Sequence, residues 1–119
     1  MKSNTEQQAK QIAARITERD EQRVRKEFKA AERTARTRGA GHGLLEGITT
    51  LWQMICDSSY SVPSSTRGLI LFALLYFVTP VDMIPDPIPF LGYVDDVAVV
   101  GWVVSVIAED IAAYKRSKQ

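Results

Sequence analysis

The stretch LILFALLYFVTPVDMIPDPIPFLGYVDDVAVVGWVVSVIA, Leu69 to Ala108, limits what this chain can become more than any other part of it. Two dense apolar blocks flank a segment that carries four prolines and four aspartates. Such apolar blocks belong in lipid or in a protein core, whereas carboxylates belong in water, at a helix N-terminus or on a cation. Prolines at positions 80, 85, 87 and 89 exclude a regular helix or central strand until about Tyr93. The pattern predicts two helices joined by a rigid, acid-bearing corner.

The helix of the first block is expected to start near Ser65 or Thr66, either of which can cap it. It should stop at Phe77 or Val78, because Pro80 pushes its predecessor out of the helical region. Asp95 and Asp96 are expected to open the next helix, where their charge complements the exposed N–H groups and the positive end of the dipole. That helix reads apolar on every face from Val97 to Ala108 and ends in a polar, basic tail, YKRSKQ.

Upstream, Leu44, Leu45, Ile48, Leu51, Trp52 and Ile55 recur at spacings of three and four, so LLEGITTLWQMI predicts an amphipathic helix. The DSSYSVPSS segment then predicts a loop, with Pro63 stopping the helix before it. No Gly or Pro occurs from Ser3 to Arg38, and strong helix formers dominate, so a long charged helix is expected there. Its apolar stripe is thin: one short face of Ala9, Ile12, Ala13 and Ile16, another of Val24, Phe28, Ala31 and Ala35. Such a stripe can dock on a partner or a membrane surface but does not anchor a core by itself. The string GAGHG, Gly39 to Gly43, supplies a flexible joint, and His42 within it reads as an exposed linker residue.

The expected architecture is therefore all-α: a long N-terminal charged helix, an amphipathic helix, and a C-terminal helical hairpin closed by a Pro/Asp-rich loop. Residues 1–41 read as a basic extension and residues 44–114 as the helical domain. Residues 1–41 hold eleven Lys/Arg against six Asp/Glu, while the remainder holds four against eight, so the near-neutral total hides a basic front and a mildly acidic, greasy back. A single cysteine, Cys56, excludes an intrachain disulfide and a cysteine-based zinc site. The polar opening residues argue against a cleavable secretory signal.

The thirteen residues Arg67 to Thr79 reach only about 20 Å as a helix, short of the ~30 Å hydrocarbon thickness. Three features nevertheless point to lipid. Apolar character resumes beyond Pro80 in Val81, Met83, Ile84, Ile88, Phe90 and Leu91. The basic residues Arg67, Lys115, Arg116 and Lys118 bracket the hairpin, whose loop holds only acids, as the positive-inside tendency requires of a pair with both termini cytoplasmic. Only the Leu44–Ile55 helix is available to cover helix four, Val97 to Ala108, if the chain avoids lipid. The expectation is a multi-pass or hairpin membrane protein with the lipid bilayer as partner, and anionic lipid headgroups as partner of the basic N-terminal helix. The six interspersed acids and the lack of an aromatic platform argue against nucleic acid. A soluble helical protein-interaction module, its hairpin covered by Leu44 to Ile55, is the alternative.

No His-centred triad, glycine-rich phosphate loop or His/Cys metal set is present in the sequence, so no catalytic residue, metal ligand or cofactor is assigned and no enzyme activity is expected. A divalent-cation site at Asp82, Asp86, Asp95 and Asp96 is a further alternative, although their spacing fits no calcium-loop template and caps or turns account for such aspartates.

The segment YFVTPVDMIPDPIPFLGYVDDVAVV, Tyr76 to Val100, resembles the bacterial YkvA-like family, domain of unknown function 1232. Thr79, Pro80, Asp82, Pro85, Asp86, Pro89, Gly92, Tyr93, Asp95 and Asp96 carry the resemblance, together with the aromatic Tyr76 and the aliphatic Val81, Met83, Ile84, Ile88 and Val94. Pro87 departs from it, standing where a bulky residue is common. The likeness covers roughly Ser65 to Ile107. It implies a multi-pass membrane protein without established activity, and it implies nothing for the basic N-terminal helix.

Overall fold

The computed structural model describes residues 11, 13–78 and 94–118, and of residues 94–98 the backbone alone. Helices and turns account for these residues, with no strand among them, so the fold is all-α as expected. We number the helices α1, Glu18–Thr37; α2, His42–Cys56; α3, Ser64–Val78; α4, Val94–Val106; and α5, Ala108–Ser117.

The expected continuous helix from Ser3 to Arg38 is broken at residue 17. Thr17 is extended, with φ −105° and ψ 168°, and caps α1. Its hydroxyl accepts the Asp20 N–H at 3.2 Å and the Asp20 carboxylate accepts the Thr17 N–H at 2.9 Å. This reciprocal box satisfies two donors that a helix start would otherwise leave bare. At the other end Gly39 adopts φ 81°, and the Ala40 N–H reaches back to the Ala35 carbonyl at 2.9 Å. Only a residue without Cβ takes that left-handed turn cheaply.

Helix α3 begins at Ser64, and the Pro63 carbonyl accepts the Arg67 N–H at 2.8 Å. Thr66, expected as a cap candidate, is instead buried, and its hydroxyl donates to Asp110 of α5. The basic tail expected after helix four is itself helical. A kink at Ile107 separates α4 from α5, whose first turn holds Glu109 and Asp110 and whose last holds Lys115 and Arg116. Each pair complements its end of the helix dipole.

Helix α3 is apolar around its whole circumference, and the packing explains it. Helix α1 lies along one side, α4 along another, and α2 packs on both α3 and α4. Leu69, Ile70, Leu71, Ala73 and Leu74 of α3 are consequently buried. The stripe read as too thin to anchor a core supplies Val24, Phe28 and Ala35, each 0% exposed. Phe28 stacks on Trp52 of α2 with centroids 4.3 Å apart and meets Phe77 of α3 at 6.2 Å. Residues 18–37 thus share one core with residues 44–107 rather than standing apart from it.

Closer still is the approach at Gly68, where an added Cβ would come within 2.6 Å of the Ala13 Cβ. The backbone ahead of α1 therefore lies directly against α3.

If α1 is integral to this core, Phe28→Ala leaves a cavity between three helices. It should cost about 3–5 kcal/mol, a large share of the roughly 5–15 kcal/mol that holds a domain folded. Urea unfolding followed by circular dichroism checks this; a loss within the range of an exposed helix substitution, about 0.5 kcal/mol, would place α1 outside the cooperative unit.

Candidate functional site

Of the residues singled out by sequence, Thr79, Pro80, Asp82, Pro85, Asp86, Pro89, Gly92 and Tyr93 lie outside the described residues. Asp95 and Asp96 fall in the first turn of α4. The alternative cation site rests on Asp82 and Asp86 and so lies largely outside them too. Among the described residues no group of three or more His, Cys, Asp or Glu converges on a point.

What the described residues do present is a polar clamp and two contrasting surfaces. The clamp ties the loop after α2 to the end of α5. Asp57 accepts from Lys118 Nζ at 2.6 Å and from the Tyr114 hydroxyl at 3.0 Å, while the Ser59 N–H and hydroxyl reach its other oxygen. The Lys118 ammonium, followed by Ser59, holds the Asp57 carboxyl well below the usual carboxylate range. Asp57 in turn raises Lys118, and burial together with Asp57 raises Tyr114. Tyr114 also packs edge-on against Tyr60, with ring centroids 5.0 Å apart.

A second tie joins α1 to the start of α3, where Glu21 accepts from Arg67 and from Arg25. Partial burial pushes the Glu21 carboxyl up, but the two guanidinium groups outweigh it and the net displacement is downward.

The first surface is the outward side of α4. Val100, Val103 and Ile107 are buried, whereas Val99, Trp102 and Val106, at spacings of three and four, are only partly covered and Gly101 and Ser105 are exposed. Helix α4 therefore shows apolar side chains outward as well as inward. Beside it runs a groove of about 350 Å³ between α2, α4 and α5, lined largely by apolar atoms.

The second surface is the crest of α1. Arg19, Lys26 and Arg33 recur every seven residues on its exposed side, with Lys29 beside them. The acids of the helix sit on its flanks, where Glu21, Glu27 and Glu32 pair with Arg25, Arg23 and Arg36. Helices α1 and α4 both pack on α3, the first with its cationic crest exposed and the second with its apolar face partly open.

Residues 66–102 match a family described as "Protein of unknown function (DUF1232)". Over 76 residues the chain is 38% identical to a Bacillus subtilis (strain 168) protein named "Uncharacterized membrane protein YkvA", covering 60% of this chain and 72% of that protein. The chain belongs to the DUF1232 family. No solved structure matches it. The family segment runs from Thr66 in α3 through the Pro/Asp-rich stretch to Trp102 in α4, so it takes in most of the two apolar helices. Helices α1 and α5 fall outside that segment yet cover and clamp it.

Sequence reasoning missed the clamp and α5. The signal available was the acidic first turn and basic last turn of α5; nothing in the order of residues announced that Asp57 and Lys118 would meet.

The directions of these displacements fix the pH behaviour of the clamp. The depressed Asp57 contributes stability above pH ~4 that is lost as pH falls through its lowered value, and the raised Lys118 and Tyr114 contribute stability below pH ~10 that is lost as pH rises. Asp57→Asn should therefore lower the thermal midpoint at pH 7 by a few degrees, and the gap to the natural protein should narrow at pH 3. Thermal melts at the two pH values check this; an equal gap at both would show that the carboxylate charge does not hold the clamp.

Proposed function

We propose that this DUF1232 protein is a membrane-associated helical protein with a structural or interaction role and no catalysis, and that the outward side of the α3–α4 hairpin is the part lipid meets. The observation that carries this reading is the outward apolar face of α4, led by Trp102, on the segment shared with the family. The name of the 38% identical relative supports it. Aromatic side chains with one polar edge suit the boundary between headgroups and acyl chains.

Helices α3 and α4, with 15 and 13 residues, measure about 22 and 20 Å, short of the ~30 Å core of a bilayer. Among the described residues no helix is long and apolar enough to cross a membrane. In our reading the hairpin therefore seats in one leaflet, both chain ends staying on the side from which it entered. A multi-pass arrangement requires α1 to leave α3, exposing Phe28 and Val24. We assign the lipid contact to the apolar face of α4 and not to the cationic crest of α1. Adhesion should accordingly depend only modestly on anionic headgroups.

Trp52→Phe keeps the stack on Phe28 and leaves Trp102 as the only tryptophan. In that background, phosphatidylcholine vesicles should carry the protein up a density gradient, shift Trp102 emission to the blue, and quench it when acyl chains are brominated. Trp102→Ala should weaken partitioning roughly tenfold or more, in line with the loss of one buried aromatic. Protein left at the bottom of the gradient with unshifted emission, or flotation with anionic vesicles alone and a silent Trp102, overturns the reading.

A further inference from the structure

The groove between α2, α4 and α5 has a composition that the membrane reading does not use. Its apolar walls include Leu44, Val100, Val104 and Ile111, and its rim carries one charge of each sign, Glu46 on α2 and Lys115 on α5. Among the described residues the Lys115 ammonium has no hydrogen-bond or ion-pair partner in the structure. Glu46 is 66% exposed and has only the exposed His42 imidazole nearby, at 3.8 Å.

Glycine shapes the space in two ways. At Gly47 an added Cβ would lie 3.1 Å from a Val100 methyl, so α2 and α4 approach closely at the floor. At Gly43 and Gly101 an added Cβ would meet nothing within 4 Å, so side chains there would occupy open space. The volume of about 350 Å³ sits at the lower end of the range of small-molecule sites, roughly 300–1,000 Å³. That is room for one flexible hydrocarbon chain.

We infer that this groove binds a single-chain zwitterionic amphiphile, its hydrocarbon along Leu44, Val100, Val104 and Ile111, its phosphate at Lys115 and its quaternary ammonium group at Glu46. The charge pattern selects the class. A purely anionic head meets Lys115 but is repelled by Glu46, and a purely cationic head meets the reverse. The inference extends the membrane reading to a lipid-like ligand, yet it needs no bilayer.

The test uses the full chain and n-alkyl phosphocholines kept below their micelle concentration, with no vesicles present, followed by titration calorimetry. One saturable site is expected, with affinity rising about fourfold per methylene from octyl to decyl. Decanoate and decyltrimethylammonium should bind roughly tenfold more weakly, about one lost charge-assisted contact. Lys115→Gln should weaken phosphocholine and decanoate binding but spare the ammonium probe; Glu46→Gln should weaken phosphocholine and the ammonium probe instead.

Gly43→Leu fills the groove from the α2 side, where space is open, and replaces a poor helix former away from the outward face of α4, so the fold should melt no lower. It should abolish amphiphile binding while vesicle flotation persists. Uptake without saturation, or equal uptake by Gly43→Leu, would reduce the groove to general greasiness and overturn the inference. Loss of flotation with amphiphile binding intact would overturn the membrane reading alone.

Discussion

Everything in this fold follows from the need to cover α3. A helix with no polar side cannot be satisfied by one neighbour, and here three helices share the work. The contact that fixes the arrangement is Phe28, fully buried, stacked on Trp52 and tilted against Phe77. An aromatic at that junction removes a large apolar area from water on three helices at once, and the offset rings add a directional component. With Phe28 seated, the charged face of α1 turns outward.

That geometry separates two chemistries that a reading along the chain had placed together. The basic N-terminal residues form a crest on α1, and the partly covered valines and Trp102 form a greasy face on α4. Polar contacts fasten the ends: Thr66 to Asp110, Glu21 to Arg67, and Asp57 to Tyr114 and Lys118. Surface pairs of this kind are individually weak. Their value lies in position, since they fix where α1 and α5 meet the family segment and so decide which faces stay open.

Much of the hairpin was legible from local rules. The described part of α3 runs to Val78, ahead of Pro80, and Asp95 and Asp96 lie in α4, where local signals placed helix. The spacing of Leu44, Ile48, Leu51 and Ile55 identified the buried side of α2. The break at Thr17 was legible in principle, because Thr followed three residues later by Asp is a capping box, yet the run of helix formers masked it. Helix α5 was hidden behind its polar composition, which suits a helix clamped at its ends as well as it suits a tail.

By itself the sequence determined the helical class, the two apolar rods and the family to which they belong. These depend on neighbouring residues: proline geometry, helix periodicity and capping act over a few positions. Only the tertiary structure decided that Val24, Phe28 and Ala35 suffice to cover α3, because the strength of a thin stripe depends on the shape of the partner it meets. It also decided which sides of α4 remain open and that Lys118 reaches Asp57, since contacts between residues distant along the chain exist only once the core has brought them together.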